Sequence, residues 1–211
     1  MVQLSPDNGL PGWDRISGYY YPDSTIAGFS HTHLSGTGAG DLYDISYMPV
    51  TLPYREAEAP LGIHSKFRHS DEEASAGYYR VLLKDYNINV ELTATERCGI
   101  QRYTFPKAQS AVFLNLKKAM NWDFTQDSHI EVVDSCTIQG YRFSDGWARG
   151  QRVFFRTRFS KPFRSSEIDT TAIIQDGKTI GTAYVARFNF DTTDGEEIVL
   201  CTAPVSYTHL R

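Results

Sequence analysis

From residue 77 onward, short runs of the chain alternate apolar and polar residues, and this period of two constrains the fold more than any other feature. The run 88–95 places Ile88, Val90 and Leu92 on one face and Asn89 and Glu91 on the other. The runs 153–160 and 183–190 alternate in the same way. Such alternation is typical of antiparallel strands that are buried on one face.

Turn residues separate these runs at intervals of about 8–12 residues, a spacing typical of β-sandwiches and barrels. Asp176-Gly177 within IIQDGKTIG predicts a hairpin, because Asp-Gly accepts the positive φ of a type I′ turn. No segment has the pattern of a long amphipathic helix. We therefore predict an all-β fold, an antiparallel β-sandwich of the supersandwich type. Further strands are expected at 78–84, 100–105, 111–116, 130–133, 137–143 and 198–201.

The first 76 residues form a loop-rich N-terminal region, with many Gly, Pro, Ser and Asp residues and few alternating runs. The best strand candidate there is 42–50, and the charged stretch 68–77 is predicted to be a surface loop. Long ordered loops within a compact domain tend to carry function. This N-terminal region is therefore the expected location of site residues.

Composition excludes several functional classes. The chain has 211 residues, a net charge of -4 and scattered Lys and Arg, which argues against a nucleic-acid binder. No apolar run reaches the ~20 residues of a membrane span, and the N-terminus does not resemble a signal peptide. Cys98, Cys136 and Cys201 form no CxxC motif, so we expect buried free thiols or one incidental pair, with the disulfide state left open.

The segment GFSHTHLSGTGAGDLYD, residues 28–44, is the most unusual part of that region. In an extended chain His31 and His33 face the same side, so they could ligate zinc together with Asp41 or Asp44. The alternative is that they brace a loop or bind a ligand by hydrogen bonds. The glycines do not match the GxGxxG spacing of a dinucleotide site, so we expect a close backbone approach rather than a phosphate cradle.

Trp13 follows Pro11-Gly12 and precedes Asp14, so it is expected in a loop. An aromatic ring beside polar groups can stack on a pyranose face, whereas the alternative is a ring packed on the sandwich. For Trp122 and Trp147 we expect packing on the sandwich. Several aspartates could serve a glycosidase, but no pairing is evident, and no GxSxG motif is present.

Several segments together resemble the N-terminal domain of glycoside hydrolase family 92, the calcium-dependent exo-acting α-mannosidases. The matching text is MVQLSPD, GWDRISGYYYPDSTIAGFSHTHLSGTGAGD, GYYRVLLKDYNINVELTATERCGIQRYTFP and GYRFSDGWARGQRVFFRTRFSKPF. GFSHTHLSGTG is the most specific of these segments. The resemblance extends from Met1 to about Leu200 and therefore covers nearly the whole chain.

The resemblance implies a β-sandwich that packs on a C-terminal (α/α)₆ barrel. The barrel would supply the Ca²⁺ ligands and the acidic catalytic pair. The implied reaction is the hydrolysis of terminal α-mannosides of N-glycans or mannan, with inversion. Substrate-binding residues would be Trp13, Asp14, His31 and His33. Residues 35–38 would form a pocket-rim or interface loop, and they are Ser35, Gly36, Thr37 and Gly38. No metal site and no catalytic residue are expected within this chain.

By this resemblance, residues 1–203 form the sandwich domain, residues 204–211 are a tail unlike the family, and the barrel is absent. We therefore expect a fragment that is inactive alone, from a periplasmic or secreted enzyme whose partners are a mannose-containing glycan and the barrel. The alternatives are a stand-alone carbohydrate-binding module and a zinc hydrolase built on His31 and His33.

Overall fold

The computed structural model describes residues 2–15, 17–33, 42–58, 61–118 and 122–206 of the chain. Strands contain 62% of the residues and helices 3%, which confirms the all-β prediction. The strands are β1 Ser5–Asp7, β2 Thr25–Ile26, β3 Gly28–Ser30, β4 Ser46–Thr51, β5 Ser65–Lys66, β6 Glu72–Ser75, β7 Tyr78–Leu83, β8 Ile88–Ala94, β9 Gly99–Phe105, β10 Ala108–Asn115, β11 Phe124–Asp134, β12 Thr137–Asp145, β13 Gln151–Phe159, β14 Ser165–Gln175, β15 Lys178–Thr192 and β16 Glu196–Ser206. Short 3₁₀-helices cover Trp13–Arg15 and His69–Asp71.

Two antiparallel sheets form the sandwich. One has six strands in the order β1-β3-β4-β10-β15-β14, and the other has eight in the order β11-β12-β13-β16-β9-β8-β7-β6. Strands β2 and β5 form a small separate pair. The core lies between the two large sheets, where the aromatic side chains of Phe29, Tyr47, Tyr103 and Phe188 are fully buried. The Tyr47 hydroxyl lies 2.6 Å from Thr157 Oγ1, so a polar contact joins the sheets within this core.

The alternating pattern correctly predicted which faces are buried. Strand β13 alternates strictly between buried and exposed residues, with Val153, Phe155 and Phe159 inside. The hairpin between β14 and β15 has the expected two-residue turn, with φ of 50° at Asp176 and 72° at Gly177. Positive φ at both positions matches the type I′ turn that the Asp-Gly pair indicated.

Three sequence expectations differ from the structure. The stretch 68–77 is not only a loop, because Glu72–Ser75 pairs with β7 at the edge of the large sheet. Strand β11 begins at Phe124 rather than near Ile130, because an irregular register between Thr125 and Asp127 interrupts the alternation there. The cysteines are free, but none is buried, since Cys98 and Cys136 are half-buried and Cys201 is exposed.

No helix within the described ranges is long and apolar enough to cross a membrane.

Candidate functional site

The three tryptophans of the chain are all exposed, and we call the surface formed by Trp13, Trp122 and Trp147 the tryptophan end. Their exposed fractions are 61%, 51% and 72%. The rings of Trp13 and Trp122 meet edge to face, with 6.2 Å between centroids. Trp122 precedes β11 and Trp147 follows β12, and the register pair Phe124–Asp145 brings those two strand ends together. The exposure of Trp13 fits the sugar-platform alternative, whereas the expected packing of Trp122 and Trp147 on the sandwich is wrong.

Hydrogen bonds and a ring contact of the neighbouring residue Arg15 hold Trp13 in its position. Arg15, in the same 3₁₀-helix, donates two hydrogen bonds of 2.6 Å to the Asp23 carboxylate, and its guanidinium lies 4.7 Å from the Tyr20 ring centroid. The buried Tyr43 hydroxyl donates to the Arg15 carbonyl at 3.0 Å. The hydrogen bonds to Asp23 raise the pKa of Arg15 above its usual value. The short helix is therefore tied to the sandwich, while Trp13 faces solvent and Asp14 beside it is exposed.

Residues 31–33 pair with residues 42–44, and we call these two stretches the stem of the histidine loop. The His31 amide donates to the Asp44 carbonyl at 3.0 Å, the Tyr43 amide donates to the Thr32 carbonyl at 3.1 Å, and His33 forms a β-bridge with Leu42. Both ends of the glycine-rich segment are thus held at the sandwich. Residues 35–38, predicted as a rim or interface loop, lie outside the described residues.

His31 is fully buried, and its Nδ1 lies 2.9 Å from the Ile45 carbonyl oxygen. Its Nε2 is buried with no hydrogen-bond partner among the described residues. Burial lowers the pKa of His31 to about 4, so the ring is neutral near pH 7. Gly99 makes room for the ring, since a Cβ at that position would lie 2.5 Å from His31 Cδ2.

His33 is 7% exposed, and both of its ring nitrogens face oxygen atoms. Nδ1 lies 2.7 Å from the Gln3 carbonyl, and Nε2 lies 2.8 Å from Asp7 Oδ1 and 3.0 Å from Ser30 Oγ. Asp7 is itself fully buried, with Lys118 Nζ 4.0 Å from its second oxygen. The two histidines therefore brace the stem, which supports the bracing alternative. Their predicted contact with substrate stays a prediction.

A buried arginine connects the stem to the tryptophan end. Arg142 on β12 is fully buried and donates to Asp44 Oδ1 at 2.6 Å, to Thr125 Oγ1 at 2.9 Å and to Asp123 Oδ1. Asp44 also accepts a 2.6 Å hydrogen bond from Thr32. Asp123 directly follows Trp122, and burial raises the pKa of this carboxyl. One guanidinium thus holds both the stem and the segment that carries Trp122.

The sequence patterns did not mark Arg142, Asp123 or Asp7 as site residues. Alternation along β12 pointed away from Arg142, because Tyr141 and Phe143 place their rings on the opposite face of that strand, although Ile138 and Arg142 are buried. No pattern marks Asp7 or Asp123, whose partners come from distant parts of the chain.

The buried carboxylates do not form a cation site. Asp44 and Asp123 are taken by Arg142, and Asp7 faces His33 and Lys118. Within the described ranges, no group of three His, Cys, Asp or Glu side chains could hold a metal ion. The residues described here therefore do not fit a Ca²⁺ site, and Asp41, a candidate zinc ligand, lies outside them.

The chain matches the model of the glycosyl hydrolase family 92 N-terminal domain over residues 1–203. A family GH92 α-mannosidase from Bacteroides thetaiotaomicron, solved in complex with mannoimidazole, is similar with a TM-score of 0.85 and 31% identity, over 96% of this chain and 29% of that one. A second enzyme, the family GH92 inverting mannosidase from Bacteroides thetaiotaomicron VPI-5482, has a TM-score of 0.73 and 22% identity, over 97% and 27% of the two chains. The chain thus spans less than a third of the length of either enzyme. No curated protein matches it.

Proposed function

The chain belongs to glycosyl hydrolase family 92, as its N-terminal domain, and from this membership we propose that its tryptophan end forms one wall of the sugar site of an α-mannosidase. The enzyme hydrolyses terminal α-mannosides of N-glycan or mannan type with inversion. It acts in the periplasm or outside the cell. The catalytic carboxylates and the Ca²⁺ ligands belong to an (α/α)₆ barrel outside residues 1–203. The similar structures carry the names α-mannosidase and inverting mannosidase, which supports this reaction class.

The observation that carries the proposal is the exposure of all three tryptophans. Tryptophan is highly buried on average, and an exposed apolar cluster marks a surface that binds something. The edge-to-face pair of Trp13 and Trp122 offers ring faces to the apolar side of a pyranose. The exposed Asp14 beside Trp13 offers a carboxylate to sugar hydroxyls. His31 and His33 brace the stem of the histidine loop, and Arg142 joins this stem to the segment that carries Trp122.

In this proposal the chain alone releases no mannose. Each buried carboxylate among the described residues faces a cationic side chain or an imidazole, so none of them is available as a free acid–base pair. Asp7 faces His33 and Lys118, Asp23 is bound by Arg15, and Asp44 and Asp123 are bound by Arg142. Purified 211-residue protein is incubated with an α-mannobiose, with and without Ca²⁺, and free mannose is measured. Ca²⁺-dependent release of mannose would contradict the proposal.

A chimeric enzyme tests whether the tryptophan end forms part of the sugar site. The N-terminal domain of the 31% identical Bacteroides mannosidase is replaced by this chain. We expect the chimera to hydrolyse α-mannosides. Trp13→Ala should lower its kcat/KM by up to about tenfold, since an aromatic stacking contact contributes about 0.5–1.5 kcal/mol. The matched control is Phe154→Ala, which removes an exposed ring from the outer face of β13 and should leave kcat/KM unchanged. Equal losses in both variants would refute the role of Trp13.

The second candidate is a stand-alone carbohydrate-binding module. The same exposed rings favour it, because such modules also bind sugars with aromatic side chains. Binding of α-mannosides by this chain together with an inactive chimera would favour the module over the enzyme domain.

A further inference from the structure

A separate cavity of about 730 Å³ lies at the edge of the eight-stranded sheet, between β6–β8 and the N-terminal segment. We call it the tyrosine cleft, and it is lined chiefly by Tyr19, Tyr21, His69, Glu72, Tyr78 and Tyr79. Its size falls within the range of ordinary small-molecule sites. The described residues that line the cleft include neither Trp13 nor Trp122, so the cleft is distinct from the tryptophan end.

The aromatic walls of the cleft are fixed by one carboxylate. Glu72 accepts hydrogen bonds from the Tyr19 hydroxyl at 2.8 Å and from the Tyr79 hydroxyl at 2.9 Å, and His69 Nδ1 lies 2.6 Å from it. Burial, reinforced by these hydrogen bonds, raises the pKa of both phenols, so they remain donors across the physiological pH range. The Tyr21 ring stacks on His69 with 4.0 Å between centroids and 9° between planes. The walls are therefore arranged before any ligand enters, which lowers the entropic cost of binding.

The lining also indicates the class of ligand. Among the described residues that form it there is no Lys or Arg, and the imidazole of His69 faces Glu72, so a phosphate or other anion would meet no unpaired counter-charge. Both oxygens of Glu72 already have hydrogen-bond partners and its side chain is 12% exposed, so it offers little surface to a cationic ligand. Four tyrosine rings provide apolar faces, and Ser75 and Thr93 place hydroxyl groups at the rim. This combination suits a neutral ligand with one apolar face and many hydroxyls, which describes a pyranose ring.

We propose that the tyrosine cleft binds a neutral hexopyranose unit of a mannoside chain, at a position separate from the sugar bound by the tryptophan end. The choice of mannose rests on the proposed function, whereas the choice of a neutral saccharide rests on the cleft alone. A second site of this kind would hold a branched glycan while its terminal residue occupies the hydrolytic site.

The test uses the 211-residue chain with ¹³C-labelled tyrosine, titrated with α-mannobiose and observed by NMR. We expect saturable shifts of the Tyr21 and Tyr78 ring signals at millimolar ligand. Tyr21→Ala removes a 65% exposed ring, so it should not affect folding, and it should weaken the binding by about fivefold or more. Ala74→Trp fills the cleft from its exposed edge strand and should abolish the binding.

Two control variants test whether the ligand binds at the tyrosine cleft. Trp13→Ala should leave the tyrosine shifts and the affinity unchanged, and so should Ile174→Ala, which alters an exposed side chain on the distant hairpin. Absence of tyrosine shifts, or equal affinity in the wild type and Tyr21→Ala, would overturn the site. Binding of cellobiose in preference to α-mannobiose would overturn the mannoside assignment. Because the readout is the tyrosine signals rather than mannose release, this result is independent of the activity of the chimera.

Discussion

Arg142 joins the stem of the histidine loop to the tryptophan end, but the two regions differ in burial. In each region the burial is unusual for the residue types involved. The stem buries His31, His33 and Asp44, whereas the tryptophan end exposes the largest apolar side chains of the chain. Buried polar groups are tolerated only when their partners are present, and exposed apolar rings indicate a surface that binds. This difference supports the proposal that the stem contributes to folding and the tryptophan end to recognition. Substitutions in the two regions should therefore affect different measurements.

The largest effect is expected at Arg142. Arg142→Met leaves Asp44 and Asp123 buried without their cation, and breaking a buried ion pair in this way costs about 3–5 kcal/mol. The free energy of unfolding is measured by urea denaturation. The matched control is Arg156→Met, because Arg156 is an exposed arginine on the neighbouring strand β13, and its loss should cost less than about 0.5 kcal/mol. Similar losses in both variants would show that the buried network does not stabilise the stem.

The next effect is a pH dependence due to His31. Burial lowers its folded pKa to about 4, below the ordinary histidine value of 6.5. Between these values the unfolded state binds a proton that the folded state does not, so stability decreases as the pH falls from 6.5 towards 4. The loss should reach about 3 kcal/mol, at 1.36 kcal/mol per pKa unit.

His31→Gln removes this titration, so its unfolding free energy should decline less over the same pH interval. Subtracting the two pH curves cancels the contribution of Asp123, whose pKa is raised and whose effect has the opposite sign. Parallel curves for the wild type and His31→Gln would contradict the burial of a neutral imidazole.

A smaller effect is expected at Gly99. In Gly99→Ala the new Cβ would lie 2.5 Å from His31 Cδ2, so the ring or the strand must shift. Overpacking of this kind costs about 1–3 kcal/mol. Thermal unfolding should show the loss, and in a His31→Ala background the same change should cost much less, since the obstructing ring is gone. An equal cost in both backgrounds would mean that His31 does not occupy this space.

The smallest effect is expected at Trp147. Its side chain is 72% exposed, so Trp147→Ala should change the free energy of unfolding by less than about 0.5 kcal/mol. Denaturant unfolding provides the measurement, with Arg142→Met, which removes the buried cation bound to the stem residue Asp44, as the contrasting variant. A loss above about 2 kcal/mol would mean that this ring packs against the sandwich, and the proposed contrast between the two regions would then fail.

Local sequence patterns were enough to predict the sandwich. Period-two runs such as β13 predicted which side chains face inward, and Asp176-Gly177 predicted its hairpin, because alternation and turn geometry are local properties of the backbone. Several segments together, of which GFSHTHLSGTG is the most specific, also indicated the family. Only the tertiary structure decided that His31 and His33 are buried braces and that Trp122 and Trp147 reach solvent. Burial depends on which distant residues meet a side chain, and the partners Asp7, Asp123 and Arg142 are brought to the site by the packing of the two sheets.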